Sequence, residues 1–298
     1  MIWGCGPTIS MISSRKNFRH HRAMVTRHTG NRQGQCHLFS YRKMKVRFCL
    51  LFGALSLAGI DASSQIVNIE AQRIITDTTG WFGDISGNFS FQQNVNTIYS
   101  FNGEVHVENK SRSGKNLWLF LGNSGFLKVD SANFANNTLA LALYNRKLSK
   151  VIRAEGVTAL FNNQITNIRF RWIGGGGPRF KIADLKMLKM YGAVWYLFEH
   201  EESSLAEVAS KNENRMSPYF TVTFTPFSNL KLVSTTYYQP RLDDFSDYRI
   251  LHVDQLKIDV SKKFAFTIDF SYLYDEFPQP DVPNKILALS TGVKYKLK

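Results

Sequence analysis

From residue 98 to residue 110 the chain alternates: Tyr99, Phe101, Gly103, Val105 and Val107 are separated by Ser100, Asn102, Glu104, His106 and Glu108. A period of two gives a strand with one apolar and one polar face. The pattern returns in Phe264, Phe266, Ile268, Phe270, Tyr272 and Tyr274 against Ala265, Thr267, Asp269 and Ser271. It appears again in Leu287, Leu289, Thr291, Val293, Tyr295 and Leu297 against Ser290, Lys294 and Lys296.

Turn signals divide the chain into about twelve strands, at 80–93, 97–110, 115–129, 134–148, 151–164, 168–181, 186–201, 216–227, 229–241, 247–261, 264–276 and 285–297. Most have 12 to 15 residues, against ~5–6 in soluble sheets and the ~9–11 that a tilted strand needs to cross a bilayer. If the first strand runs outward, the connections at 202–215, 240–247 and 277–284 fall on one side, and the short ones at 111–115, 149–150, 182–185 and 261–263 on the other. A membrane barrel with both termini in the periplasm sorts its loops in this way; a soluble β-sandwich has no reason to. No apolar run beyond residue 65 reaches the ~18–20 residues of a membrane helix. The expected fold is all-β: a transmembrane up-and-down antiparallel β-barrel of about 12 strands over residues 80–298.

Lipid cannot hydrogen-bond a free strand edge, so the sheet must close with its apolar face outward. That places Ile168, Phe170 and Trp172 toward lipid and Arg169 and Arg171 toward the lumen, with Glu104, Glu108, Arg153 and Glu155 also lining it. Trp81, Tyr99, Trp118, Trp195 and Tyr274 are candidates for interfacial aromatic girdles.

From Met44 the chain reads Met-Lys-Val-Arg, an apolar run from Phe48 to Ile60, and then Asp61-Ala-Ser-Ser-Gln65. This is the three-part form of a secretory signal over residues 44–64, with cleavage expected between Ser64 and Gln65. Residues 1–43, rich in Arg, His, Ser and Gly without periodicity, are expected to be an unstructured extension from a start codon chosen too far upstream. Residues 65–79 are expected to be a periplasmic N-terminal segment.

The formal charge of +14 changes its meaning once the leader is set aside, since residues 65–298 hold 27 of the 37 basic and 22 of the 23 acidic residues, a net of +5. A nucleic-acid partner is therefore not expected. Cys5, Cys36 and Cys49 all lie in the leader, leaving the remainder without a disulfide or a thiolate metal site.

Candidate chemistry is sparse. Gly174 to Gly177 precede Pro178 and Arg179 rather than Lys-Ser/Thr, so they read as a bend, a bulge or a place of close backbone approach and not as a phosphate loop. His200-Glu201-Glu202 lacks the second histidine of a zinc helix, Ser204 standing in its place. Asp243, Asp244 and Asp247 lack the order of a calcium loop and read as a solvated acidic loop. No serine sits in a nucleophile motif. Neither catalytic, metal nor cofactor residues are assigned.

Several segments resemble the outer-membrane family called domain of unknown function 481, particularly its Bacteroidetes members. They are Gln65-Ile-Val-Asn-Ile-Glu70, Arg73, Asp77-Thr-Thr-Gly-Trp81-Phe-Gly83, Leu143-Tyr144-Asn145-Arg146-Lys147-Leu148, Arg153-Ala-Glu155 to Phe161-Asn-Asn-Gln164, and Arg169-Phe170-Arg171 to Gly174-Gly-Gly-Gly-Pro178-Arg-Phe180. The likeness covers nearly all of residues 65–298 and implies a barrel in the outer membrane of a Gram-negative bacterium, without an established activity. Lys298 at the end departs from the aromatic last residue common in such chains. The implied partners are outer-membrane lipid and the barrel-insertion machinery. Three activities are open: a narrow passive pore for small solutes or ions, a closed structural or binding barrel presenting its outer loops, and, third, an outer-membrane hydrolase.

Overall fold

The computed structural model describes residues 69–73, 79–93, 97–129 and 133–297. The expected signal peptide and the extension before it lie outside the described residues. Twelve strands follow in order: β1 (Gly80–Gln93), β2 (Thr97–Lys110), β3 (Asn116–Val129), β4 (Asn133–Lys147), β5 (Ile152–Asn163), β6 (Ile168–Asp184), β7 (Leu188–Ser203), β8 (Lys211–Phe227), β9 (Leu230–Pro240), β10 (Tyr248–Asp259), β11 (Phe264–Asp275) and β12 (Lys285–Lys296). Each pairs antiparallel with its neighbours, and β1 pairs with β12 from Asp84↔Lys296 to Asn88↔Gly292, so the sheet closes into a barrel. Across this seam the ladder is short, five residue pairs.

The two ends differ. Among the described residues, one end carries the short turns 111–115, 148–151, 185–187, 228–229 and 260–263; the other carries the longer loops 204–210, 241–247 and 276–284. We call them the turn end and the loop end. β8 begins at Lys211, five residues earlier than the sequence pattern predicts. Residues 211–215 are polar on both faces, which hides their period; Glu213 and Arg215 point inward and are held there by ion pairs.

Outside, the wall is apolar with aromatic belts near both ends. Toward the turn end, Trp118 stacks against Phe120 and meets Tyr144 at 4.6 Å between ring centroids, and Phe264 meets Tyr295 at 5.2 Å. Toward the loop end, Tyr248 lies 5.7 Å from both Tyr238 and Tyr274.

Inside, the fill is layered. Leu119, Leu121, Leu139, Leu141, Leu143 and Val157 from β3 to β5 are buried with Trp195 and Leu197 from β7, forming an apolar side of the lumen. β6 passes here as Gly174 to Gly177. A Cβ on Gly175 would lie 2.0 Å from the Tyr196 carbonyl oxygen, and one on Gly176 2.2 Å from that of Glu155. Bare backbone lets β5, β6 and β7 approach this closely, the role expected of glycine in a bent strand. Beyond it, Pro178 faces outward, and the ladder to β7 skips from Gly176 to Arg179.

Candidate functional site: a charged lumen closed by the N-terminal segment

The turn-side half of the lumen is crossed by residues 69–73, whose first four form the short helix α1 (Ile69–Gln72). The segment is not the periplasmic one expected from sequence: all five residues are buried inside the barrel. Ile69 joins the apolar side. Glu70 Oε2 accepts from Arg179 Nη2 at 2.5 Å and Glu70 Oε1 from Arg73 Nε at 2.8 Å. Arg73 Nη2 in turn donates to Glu155 Oε1 at 2.7 Å. Glu155 also accepts from Asn145 Nδ2 at 2.6 Å and Tyr219 Oη at 2.9 Å. Two guanidiniums thus face two carboxylates with no charge left over, the condition under which burying them is tolerable. Lys294 Nζ donates to Gln72 Oε1 at 2.6 Å.

Two further polar groups line the wall. Beside α1, His106 sits between Asp84 at 3.3 Å and Glu108 at 3.5 Å, and Lys294 Nζ lies 3.0 Å from Asp84. Toward the loop end, Glu199 lies 3.0 Å from Arg171 Nε and accepts from Arg249 at 2.9 Å; Arg249 reaches Asp275 at 2.9 Å, and Arg215 bridges Glu213 at 2.7 Å and Asp247 at 2.8 Å. Gln279, from loop 276–284, donates to Glu201 and so draws that loop over the mouth.

Glu108, Glu155 and Arg171 are buried in these groups, and Glu104 lies half-buried with Lys294 Nζ at 3.8 Å. Arg153, half-buried at the turn end, donates to Asn145 Oδ1 at 3.1 Å. Arg169 departs from the expectation. A bulge between Ile168 and Phe170 shifts the register against β7, turning Ile168 inward and Arg169 outward. The Arg169 side chain is 67 % exposed and pairs with Glu202 at 2.8 Å.

Of the girdle candidates, Trp81 and Trp118 are exposed on the outer wall toward the turn end, and Tyr274 lies at the loop end. The Tyr99 side chain lies outside the described residues. Trp195 is a correction: it is 4 % exposed and faces the lumen, edge-on to Tyr219. Around it Val194, Tyr196 and Phe198 alternate with Trp195 and Leu197, so both faces of β7 are apolar and period two cannot tell them apart.

His200 and Glu201 project to opposite faces, His200 pairing outward with Asn212 at 2.8 Å while Glu201 lies buried in the lumen. They cannot share a ligand. In loop 241–247, the Arg241 guanidinium stands among Asp243 at 2.7 Å, Asp244 at 3.6 Å and Asp247 at 2.9 Å, where a cation would have to sit. Hydrogen bonds from the Ser246 hydroxyl and amide hold the Asp244 carboxyl below its usual range.

Arg215, Arg249, Glu199 and the Glu70–Arg179 pair escaped the sequence reading, because inward parity identifies them only once the register of each strand is fixed.

Comparison with known proteins places this barrel among others of its kind. No curated protein matches the chain. An outer-membrane channel of Pseudomonas putida F1 superimposes with a TM-score of 0.52 at 8% identity, over 78% of this chain and 100% of that one. The NanC porin gives 0.48 at 12% identity, over 72% and 100%, and the KdgM porin 0.43 at 12%, over 73% and 99%. At 8% identity the likeness to the Pseudomonas channel is one of fold. The sequence itself carries the assignment: the model of the family described as protein of unknown function, DUF481, matches residues 100–297, and the chain belongs to that family.

Proposed function

We propose that this protein is an outer-membrane barrel enclosing a narrow pathway for small solutes or ions, held shut by the N-terminal segment. The membrane reading rests on the outer wall. Phe264 and Tyr274 sit ten residues apart on β11, which at ~3.4 Å per residue and a tilt of about 40° is about 26 Å of height, matching the ~25 Å apolar band of such barrels. Short turns then face the periplasm and long loops the outside.

One observation carries the pathway reading: charged side chains from ten of the twelve strands point into the lumen, yet Glu70 and Arg73, the charges that close it, belong to a segment that is no part of the wall. A stopper held by ion pairs can leave without opening the sheet. Planar-bilayer conductance of the protein and of a variant lacking residues 69–73 tests this. The deletion is expected to give larger and more frequent conductance steps. A deletion variant that still shows the heat-dependent gel shift of a closed barrel but conducts no better than the intact protein would favour a closed barrel, to which the apolar side of the lumen is also suited.

A further inference from the structure

The turn-end mouth opens into a cavity of about 410 Å3, within the ~300–1,000 Å3 of small-ligand sites. Six lysines line it: Lys186 from the turn before β7, Lys189 from β7, Lys231 from β9, Lys257 from β10, and Lys294 and Lys296 from β12. Arg73 also lines it, its charge answered by Glu70 and Glu155, and two carboxylates, Asp84 and Asp259, face the six lysines; Lys189 has Asp184 at 3.6 Å. Lys296 and Lys257 share Asp259, at 2.8 and 3.6 Å, and Lys294 takes Asp84 at 3.0 Å. The Lys231 ammonium contacts the carbonyl oxygens of Ala71 at 3.4 Å and Arg73 at 3.3 Å, and no carboxylate among the described residues.

Five of these lysines, all but Lys186, rise from strand positions whose register is fixed by the ladders, so their stems cannot move apart to relieve repulsion. Six ammoniums against two lining carboxylates, a surplus of four, focus a potential around one cavity that attracts counter-ions. A monovalent anion would answer one ammonium at a time. A ligand with several negative groups can answer ammoniums on β7, β9, β10 and β12 together, and its first contact raises the effective concentration of the rest.

We propose that the turn-end mouth is a binding site for a multivalent, water-soluble oxyanion, one bearing phosphate, sulfate or carboxylate groups. The site faces the lumen rather than the lipid wall, which favours a dissolved ligand over a lipid headgroup. It stands whether or not the barrel conducts.

Calorimetric titration of inorganic tripolyphosphate into the purified protein in detergent at low salt tests it. One ligand per barrel is expected, with affinity falling as salt shortens the Debye length. Lys231→Gln with Lys257→Gln should weaken binding about tenfold, from the loss of two contacts of modest strength; the matching arginine pair should retain it. Lys150→Gln with Lys262→Gln, in turns outside the cavity, should leave it unchanged. Should the glutamine pair not fold, lysine acetylation of the unaltered protein gives the same answer, since tripolyphosphate should protect Lys231, Lys257 and Lys296 but not Lys150 and Lys262. Equal weakening by both glutamine pairs, equal protection of all five lysines, absence of binding, or capture of phosphatidylglycerol vesicles without any binding of tripolyphosphate would each overturn the proposal.

Discussion

Replacing Glu155 with glutamine should loosen residues 69–73 while leaving the barrel closed. The Glu155 side chain is fully buried and accepts from Arg73, Asn145 and Tyr219, with Arg179 at 3.8 Å. Glutamine keeps the shape and one carbonyl oxygen for Asn145 or Tyr219, but leaves Glu70 as the sole carboxylate facing two guanidiniums. Breaking one partner of a buried ion pair costs ~3–5 kcal/mol. With Glu70 still in place the lower end applies, and ~3 kcal/mol at ~1.4 kcal/mol per tenfold raises the open population of the segment about a hundredfold. The loss falls on the segment because the wall keeps its ladders on both sides of β5.

Trypsin reads this directly, since it must draw the buried Arg73 into an extended conformation to cut after it. When opening is fast relative to cleavage, the rate follows the open population. Mass spectrometry of the released peptide ending at Arg73 should show it appearing about a hundred times faster from the Glu155→Gln protein, within the limits of that regime. As a control, Glu202→Gln removes the partner of the exposed Arg169, a contact worth ~0–1 kcal/mol, and should change the rate by no more than a few-fold. Equal rates from the Glu155→Gln and unaltered proteins, both showing the heat-dependent shift of a folded barrel, would falsify the ion-pair anchor.

Two further experiments test the wall. Gly176→Ala sets a methyl against the Glu155 carbonyl and should cost ~1–3 kcal/mol through overpacking, seen as a lower refolding yield by gel shift; Gly122→Ala, with open space around its Cβ, should refold normally, and equal yields would refute the close approach. On the outer face of β10, His252 bonds to Thr236 at 2.9 Å and to Asp254 at 3.1 Å, in the middle of the strand. Polar groups there are costly against lipid, so leucine at both 252 and 254 should raise stability by ~2–4 kcal/mol in reversible denaturation from vesicles; a fall would show that protein covers this part of the wall.

Strand number, order and closure were legible because burying one face imposes a two-residue period, and this period survives wherever the faces differ in polarity. It fails at Trp195, where both faces of β7 are apolar, and at residues 211–215, where both are polar. Arg169 shows a different limit. Strict alternation from Arg171 puts it inward, and only the bulge at Ile168/Phe170, a property of how β6 meets β7, turns it out. The stopper was least accessible of all. Nothing local to Ile69-Glu-Ala-Gln-Arg73 distinguishes a lumen segment from a periplasmic one, because its position is decided by partners 82, 109 and 149 residues further along the chain. The charge surplus at the mouth is hidden in the same way. Lys189, Lys231, Lys257 and Lys296 come from four strands far apart in the sequence, each an ordinary polar position near a turn, and become one electrostatic object only when closure brings the ends of β7, β9, β10 and β12 around a common axis. What barrel closure adds to the chain is therefore the interior: it converts unremarkable polar alternation into a lumen whose charges either pair with opposite charge, as Glu70 and Glu155 do with Arg73 and Arg179, or rest on backbone carbonyls, as the Lys231 ammonium does.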